Sequence, residues 1–233
     1  MTARAHFRKQ AEACARLGSP FTARLLTLAA DRLSPGTPVA DRLLGRPDRP
    51  QDAYALRFAG ALHALARDGD ALAAVYPPHE VPDDALWSAV ENAMSAHTDR
   101  LLHWLDSAPQ TNEVRRSAAL IPALHVIAAR FARPLALMEL GASAGLNLQC
   151  DRYRLEVAGT AYGPAEAGVR LTPDWSGTPP PPPAALHVVS REGVDLNPLD
   201  PARPADRARL LAYLFGRPVR PHRPDRGRHR LRR

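Results

Sequence analysis

The sequence predicts an α/β protein in which a helical N-terminal part is followed by a truncated Rossmann-like sheet carrying a hairpin insertion. Three observations carry this expectation. Residues 3–132 read as a succession of helices punctuated by Gly and Pro. Leu135–Leu140 is a continuous apolar run of strand length, as expected of a buried parallel strand, and it ends in the small-residue turn Gly141-Ala-Ser143-Ala-Gly145 before a helix-like segment. Only 70 residues separate Gly145 from Phe215, and a βαβ unit takes about 30. A six-stranded dinucleotide sheet therefore cannot be completed. The expected organisation is a helical domain over 1–108, a partial Rossmann-like domain over 109–216 and a disordered Arg/Pro-rich tail over 217–233.

The elements follow in order. His6 to Leu17 forms a helix stopped by Gly18. Ser19-Pro20 offers an N-cap and a first-turn proline for a second helix running to Leu33, which Ser34-Pro-Gly36 ends. Ala53 to Arg67 is a third, with Ala55, Phe58, Leu62 and Leu65 on its apolar face and Leu56, Gly60, His63 and Arg67 on another. Tyr76-Pro77-Pro78 breaks the pattern. Leu86, Val90, Ala93, His97, Leu101 and Trp104 then recur at helical spacing over about five turns. Asn112 can cap a helix from Glu113 to about Ala132, with Val114, Ala118, Ile121, Leu124 and Ala128 facing the core. After Leu140, two short strands around a Gly-rich turn (Tyr153–Val157 and Val169–Leu171), a loop with five consecutive prolines, a strand at Leu186–Ser190 and a helix at Ala205–Phe215 complete the chain.

Composition bounds the function classes. Apolar residues make up 45% of the chain, and no apolar run approaches the ~20 residues of a membrane helix. The N-terminus lacks a signal-peptide core. Cys14 and Cys150 match no metal spacing, and nine histidines are scattered without one, so no metal is expected and a reducing, cytoplasmic setting is. The net charge of +7 suggests nucleic acid, but its location argues otherwise. Residues 217–233 hold eight arginines and one aspartate, the whole of the excess, which leaves 23 basic against 23 acidic residues before them. A nucleic-acid domain carries its basic stripe on a folded face. No specific nucleic-acid partner and no membrane partner is expected; a small-molecule ligand is. One lysine against thirty arginines, with 24 prolines, marks a GC-rich gene. A shifted frame in such a gene reads as Arg, Pro, Gly and His, so the tail after Gly216 is expected to be a frameshift product or a non-native terminus.

Chemistry concentrates at the turn. A strand, a small-residue turn and a helix together build an elbow whose helix would direct free backbone N–H groups and its positive dipole end at a ligand. Gly141-Ala-Ser143-Ala-Gly145 also satisfies G-x-S-x-G, the nucleophile turn of serine hydrolases. Ser143 would then need an acid, Asp195 or Asp200, and a later histidine. His222 and His229 are the only ones that follow, and His187 precedes both acids. Asn112 and Glu113 either cap the helix that leads into the strand or contact substrate beside the elbow. Asn197, in Asp195-Leu-Asn197-Pro198, marks a turn with substrate-binding potential. A non-catalytic binding module remains the third reading, and no catalytic residue is assigned.

Four motifs in order resemble one bacterial family. They are Gln110-Thr-Asn112-Glu113-Val-Arg115, Glu139-Leu-Gly-Ala-Ser-Ala-Gly145-Leu-Asn147-Leu, Asp151-Arg-Tyr153 and Gly193-Val-Asp195-Leu-Asn197-Pro198. That family is the domain of unknown function 2332. The resemblance covers roughly residues 5–215 and brings no established activity. The family's glycine segment is itself similar to the cofactor loop of methyltransferases that use S-adenosylmethionine, with Ser143 in place of the middle glycine. This likeness implies a methyltransferase-like fold with S-adenosylmethionine as cofactor and an undefined acceptor, in a truncated chain whose activity is in question. Gly141 would permit the tight turn, Gly145 the close helix packing, and Glu139 would meet the polar end of the ligand. Asp195 would hold the ribose, although it lies 54 residues past Gly141 where about 20 is usual. Glu156 sits nearer that spacing.

Overall fold

The computed structural model describes residues 2–45 and 52–214. It is a mixed α/β protein, helical in its N-terminal part, with one small parallel and one small mixed sheet. The contacts of the described residues define two compact units, one within residues 2–110 together with 208–214, and one of residues 111–207. The Arg/Pro-rich tail expected over 217–233 lies outside the described residues.

In the first unit, α1 (Ala3–Arg16) is capped by Thr2, whose Oγ1 accepts the Ala5 N–H at 3.3 Å. α2 (Pro20–Arg32) begins with its proline in the first turn, where no N–H is needed. α3 (Pro38–Leu44), a short helix capped by Thr37, was not expected from the sequence. α4 (Tyr54–Arg67) is buried over most of its surface and forms the centre of the core, with Phe58 and Leu62 fully enclosed. The periodic segment Leu86–Trp104 is not one helix. It is divided into α5 (Asp83–Ala96) and α6 (Thr98–Asp106). His97 leaves helical geometry there, and its Nε2 lies 2.7 Å from Asp70 Oδ2, a contact no periodicity reveals.

α8 (Pro204–Ala212) ends in this unit. The face of α4 that carries Gly60 and His63 receives it. A Cβ at Gly60 would lie 2.5 Å from the Tyr213 ring. Trp104 Nε1–H donates to Tyr213 Oη at 3.0 Å, and His63 Nδ1 lies 2.9 Å from the Ala212 carbonyl. Residues 208–214 thus pack with the helices rather than with residues 111–207.

The second unit contains α7 (Ser117–Phe131) and strands β1 (Leu135–Leu140), β2 (Arg154–Val157), β3 (Thr160–Tyr162), β4 (Arg170–Leu171) and β5 (Val188–Val194). β2 pairs antiparallel with β3 and parallel with β4. Ile121 of α7, Cys150, Tyr153, Leu155, Val157, Tyr162 and Leu171 form the core of this unit, with Val114, Ala118 and Leu124 against them. The proline loop is pinned to this layer. Tyr162 Oη–H donates to the Pro181 carbonyl, and the Ala184 N–H donates to His125 Nδ1 at 3.1 Å.

β1 and β5 form a two-stranded parallel sheet with Glu139 beside Gly193 and Leu140 beside Val194. β5 lies two to four residues later than the expected Leu186–Ser190. The connection between these strands contains no α-helix, and the helix-like segment after Gly145 is a six-residue 3-10 turn, Asn147–Arg152. Side chains also bond to the carbonyls of this turn. Tyr153 Oη–H donates to Leu146 O, and Arg191 Nε–H donates to Leu148 O at 3.0 Å. Nor is β1 buried on both faces. Leu135, Leu137 and Glu139 are half-covered, whereas Met138 and Leu140 are 70% and 81% exposed, because no described element covers that side.

Three stability outcomes follow. Gly60→Ala is expected to cost about 1–3 kcal/mol through overpacking on Tyr213, and Leu155→Ala about 2–5 kcal/mol. Met138→Lys, on the uncovered face, should stay within about 0.5 kcal/mol of the parent. Urea denaturation measures all three.

Candidate functional site

The turn after β1 is built from residues of all four motifs. Gly141, Ser143 and Gly145 have φ of +73°, +52° and +67°. Glycine adopts such values freely, whereas Ser143 is strained there. A Cβ at Gly141 would meet nothing within 4 Å, so space lies open over the first residue of the turn. β5 closes the other side. A Cβ at Gly193 would lie 2.7 Å from that of Ala142, so only glycine allows the strand this close.

The backbone N–H groups of the turn are engaged within the protein. Gly141 and Ala142 donate to the Val194 carbonyl at 2.7 and 3.2 Å, and Gly145 to the Ala142 carbonyl at 2.7 Å. Ser143 N–H donates to Asp195 Oδ2 at 2.8 Å, and Leu146 N–H to Asn112 Oδ1 at 2.8 Å. The expected free N–H groups at a helix start are therefore absent from 141–143 and 145–146, for two reasons: the helix is a 3-10 turn, and Asp195, Asn112 and Val194 have captured the donors. Asp195 Oδ1 also accepts the Asn197 N–H at 2.8 Å. Asp195 is thus a clamp between the turn and the end of β5.

Glu139 faces a polar cluster. The Ser117 hydroxyl donates to Asn147 Oδ1 at 2.9 Å, and the Asn147 amide donates to the Glu139 carboxylate. Burial raises the Glu139 pKa above its ordinary value, against the lowering effects of Arg116 and Asn147. Glu139 Oε2 and Ser143 Oγ are buried without a hydrogen-bond partner, and Ser143 is only 6% exposed. Arg191 binds Asp151 Oδ2 at 2.5 Å and fixes the 3-10 turn to β5.

Asn112, Glu139, Gly141, Ser143, Gly145, Asp195 and Asn197 therefore meet in one place. Glu113 does not join them. Its carboxylate accepts the Arg115 N–H at 3.0 Å and caps its own 3-10 turn. Asn112 caps no helix; it holds Leu146 instead. Glu156 lies on β2, bonded to Arg154 at 3.0 Å. It lines a groove of about 490 Å³ with Gly159, Asp174 and Trp175, away from the elbow. Asp200 accepts the Ala202 N–H at 2.9 Å in its own turn. No described histidine bonds Ser143 Oγ, and His222 and His229 lie outside the described residues. Arg116, Ser117 and Arg191 belong to the site without an expected role, and Asn147, Asp151, Tyr153 and Gly193 join it from within the motifs. Polar residues inside otherwise apolar segments were the available signal. Burial pushes the Cys150 thiol up to about 11, which makes it unreactive. Among the described residues, no group of three or more His, Cys, Asp or Glu could hold a metal, and no helix is long and apolar enough to cross a membrane.

Residues 4–230 match the family described as uncharacterised protein conserved in bacteria (DUF2332). The chain belongs to that family. The match contains all four motifs, begins one residue before the span of roughly 5–215 over which the resemblance runs, and extends past it into the Arg-rich tail. No curated protein and no solved structure matches the chain. For this DUF2332 member, the site has to be read from its own geometry.

Two outcomes test that geometry. Asp195→Ala removes the acceptor of two backbone donors and is expected to cost about 1–3 kcal/mol in chemical denaturation. Glu139 gives a pH signature. Its folded pKa is raised above the ordinary value of 4.5, so ionisation disfavours the fold. That cost is absent well below 4.5, where the carboxyl is protonated in both states, and is complete once pH exceeds the folded value. Glu139→Gln should therefore raise Tm at pH 7, by on the order of 1 °C, and leave it unchanged near pH ~3.

Proposed function

We propose that the elbow after β1 is a small-molecule site, that its ligand is S-adenosylmethionine, and that this chain is a methyltransferase-like domain whose methyl acceptor is undefined. One observation carries the reading. The turn with open space over Gly141 lies at the carboxyl ends of two adjacent parallel strands, and each strand ends in an acid, Glu139 on β1 and Asp195 just past β5. Ligands of open parallel sheets bind in that position. On this reading β1 and β5 are neighbouring strands of a Rossmann-like sheet, and the β2–β4 layer is an insertion between them.

The residues fit such a ligand in part. Glu139 Oε2 is a buried acceptor lacking a donor, and Gly141 leaves room above the turn. Asp195 holds the loop at the end of the neighbouring strand. Gly145 permits the backbone reversal, and Asn112 and Asn197 border the turn. Bound there, S-adenosylmethionine supplies an electrophilic methyl group. Ser143 departs from the glycine pattern and narrows the turn. Two free, buried thiols, Cys14 and Cys150, agree with a reducing cytoplasmic setting.

A serine hydrolase has one observation in its favour, the φ of +52° at Ser143 between a strand and a helical turn. The sealed Ser143 Oγ, with no histidine bonded to it, weighs against that reading.

Isothermal titration with S-adenosylmethionine tests the proposal. The parent should bind, and Gly141→Val should lose at least about tenfold in affinity, or roughly 1.4 kcal/mol. Labelling of Ser143 by a fluorophosphonate would favour the hydrolase, and neither response would leave a non-catalytic binding module.

A further inference from the structure

The groove at the β2–β3 hairpin, about 490 Å³ in volume, shares no residue with the elbow. Small-molecule pockets run from about 300 to 1,000 Å³. Val157 pairs with Thr160 across the hairpin, and the residues between them, Ala158 and Gly159, have φ of +48° and +76°, as in a type I′ turn. A Cβ at Gly159 would meet nothing within 4 Å, so space lies open over that turn. The rest of the lining comes from the segment after β4, Thr172 to Trp175. Trp175 is 41% exposed, and its Nε1–H donates to the Thr178 carbonyl at 3.0 Å, which fixes the plane of the ring. Among the described residues no aromatic ring or guanidinium stacks on it. The charges around the groove cancel. Glu156 and Asp174 line it, and Glu156 Oε1 accepts from Arg154 Nε at 3.0 Å and lies 3.5 Å from Arg170 Nη1. Both guanidiniums are tied further, Arg154 to the Gly163 carbonyl at 3.2 Å and Arg170 to the Ala165 carbonyl at 2.5 Å. The Asp174 side chain is exposed and unpaired among the described residues.

We propose that this groove binds a neutral saccharide, with one sugar ring stacked on Trp175 and its hydroxyls shared among Asp174, Glu156, Thr160 and Thr172. An anion entering the groove meets two carboxylates and no uncommitted cation in the lining. A cation meets one carboxylate already shared with two arginines and another in open water, where an ion pair contributes little. Stacking and uncharged hydrogen bonds remain. The π-face of an indole is the negative pole of its quadrupole. The C–H groups on one face of a pyranose ring carry slight positive charge and complement it. Ionised carboxylates only accept, whereas threonine hydroxyls both donate and accept. The second Glu156 oxygen and both Asp174 oxygens therefore call for a ligand rich in O–H donors, which a sugar presents around the rim of the same ring that stacks. The inference does not rest on the elbow being a ligand site.

Saturation-transfer NMR on the full chain tests this, with glucose, N-acetylglucosamine, maltose and cellobiose as neutral sugars and glucose 6-phosphate, choline and adenosine as comparators. The expected result is that at least one neutral sugar binds in the millimolar range through its ring C–H protons and more tightly than any comparator. Trp175→Ala should weaken that sugar by about tenfold or more, and Trp175→Phe, which keeps a ring, by less than about fivefold. The wild-type order of neutral over charged probes requires no variant and stands even if Trp175→Ala fails to fold. Choline, glucose 6-phosphate or adenosine binding more tightly than every neutral sugar overturns the inference. So does sugar binding that survives in a folded Trp175→Ala chain, and so does silence from all four sugars. S-adenosylmethionine binding should be the same in Trp175→Ala as in the parent, so the failure of this inference and the failure of the elbow reading are told apart.

Discussion

One carboxylate ties the second unit's turn to the loop after β5. Asp195 accepts the Ser143 N–H with one oxygen and the Asn197 N–H with the other. Ser143 answers with its carbonyl, which accepts the Leu199 N–H at 3.1 Å. The loop after β1 and the loop after β5 are thereby stitched together from both sides. That stitching explains how Ser143 is kept in the left-handed region. A strained residue of this kind persists only where its surroundings over-determine it. It also explains Gly193, since the strands can be stitched so closely only if no Cβ intrudes on Ala142.

The remaining polar groups extend the same construction. Asn112 holds Leu146, Ser117 holds Asn147, and Asn147 holds Glu139. Tyr153 takes the Leu146 carbonyl, and Arg191 takes that of Leu148 together with Asp151. Arg191 and Asp151 are each only 18% exposed, so losing either partner would strand a buried charge. Such a pair specifies an arrangement more than it stabilises one. Each of the four motifs contributes a member, which is why polar residues recur at defined places in otherwise apolar segments.

What could be read from the sequence follows from the range of the forces involved. β1 is the same six residues in sequence and structure, because an apolar run bounded by turn residues is a local signal. The inward face of α7 is likewise legible at Ala118, Ile121 and Leu124, although the helix begins at Ser117 and not at Glu113, and Val114 reaches the same core from a 3-10 turn before it. The break between α5 and α6 was illegible, because it depends on Asp70, 27 residues before His97. The 3-10 turn was illegible for the same reason: its carbonyls at Leu146 and Leu148 also accept from Tyr153 and Arg191, and the second of these partners lies 43 residues away. Asp195 was placed near the turn by counting strands. Its bond to the Ser143 backbone required the parallel pairing of β1 and β5, which spans more than fifty residues of intervening chain.

The uncovered face of the β1–β5 sheet gives this wiring its physical importance. Parallel sheets are ordinarily covered on both sides and stabilised by apolar burial from each. Here Met138, Leu140 and Val194 are exposed on the two strands, with Leu196 just beyond β5. Burial from one side of a two-stranded sheet cannot by itself fix the strands to within a few tenths of an ångström. The position of the turn relative to β5 must come instead from directional contacts, which have an optimum length and angle. The hydrogen bonds of Asp195, Asn112 and Val194 supply that constraint. A turn held this way keeps its shape without a second sheet layer, at the cost of the N–H groups it would otherwise offer to a ligand.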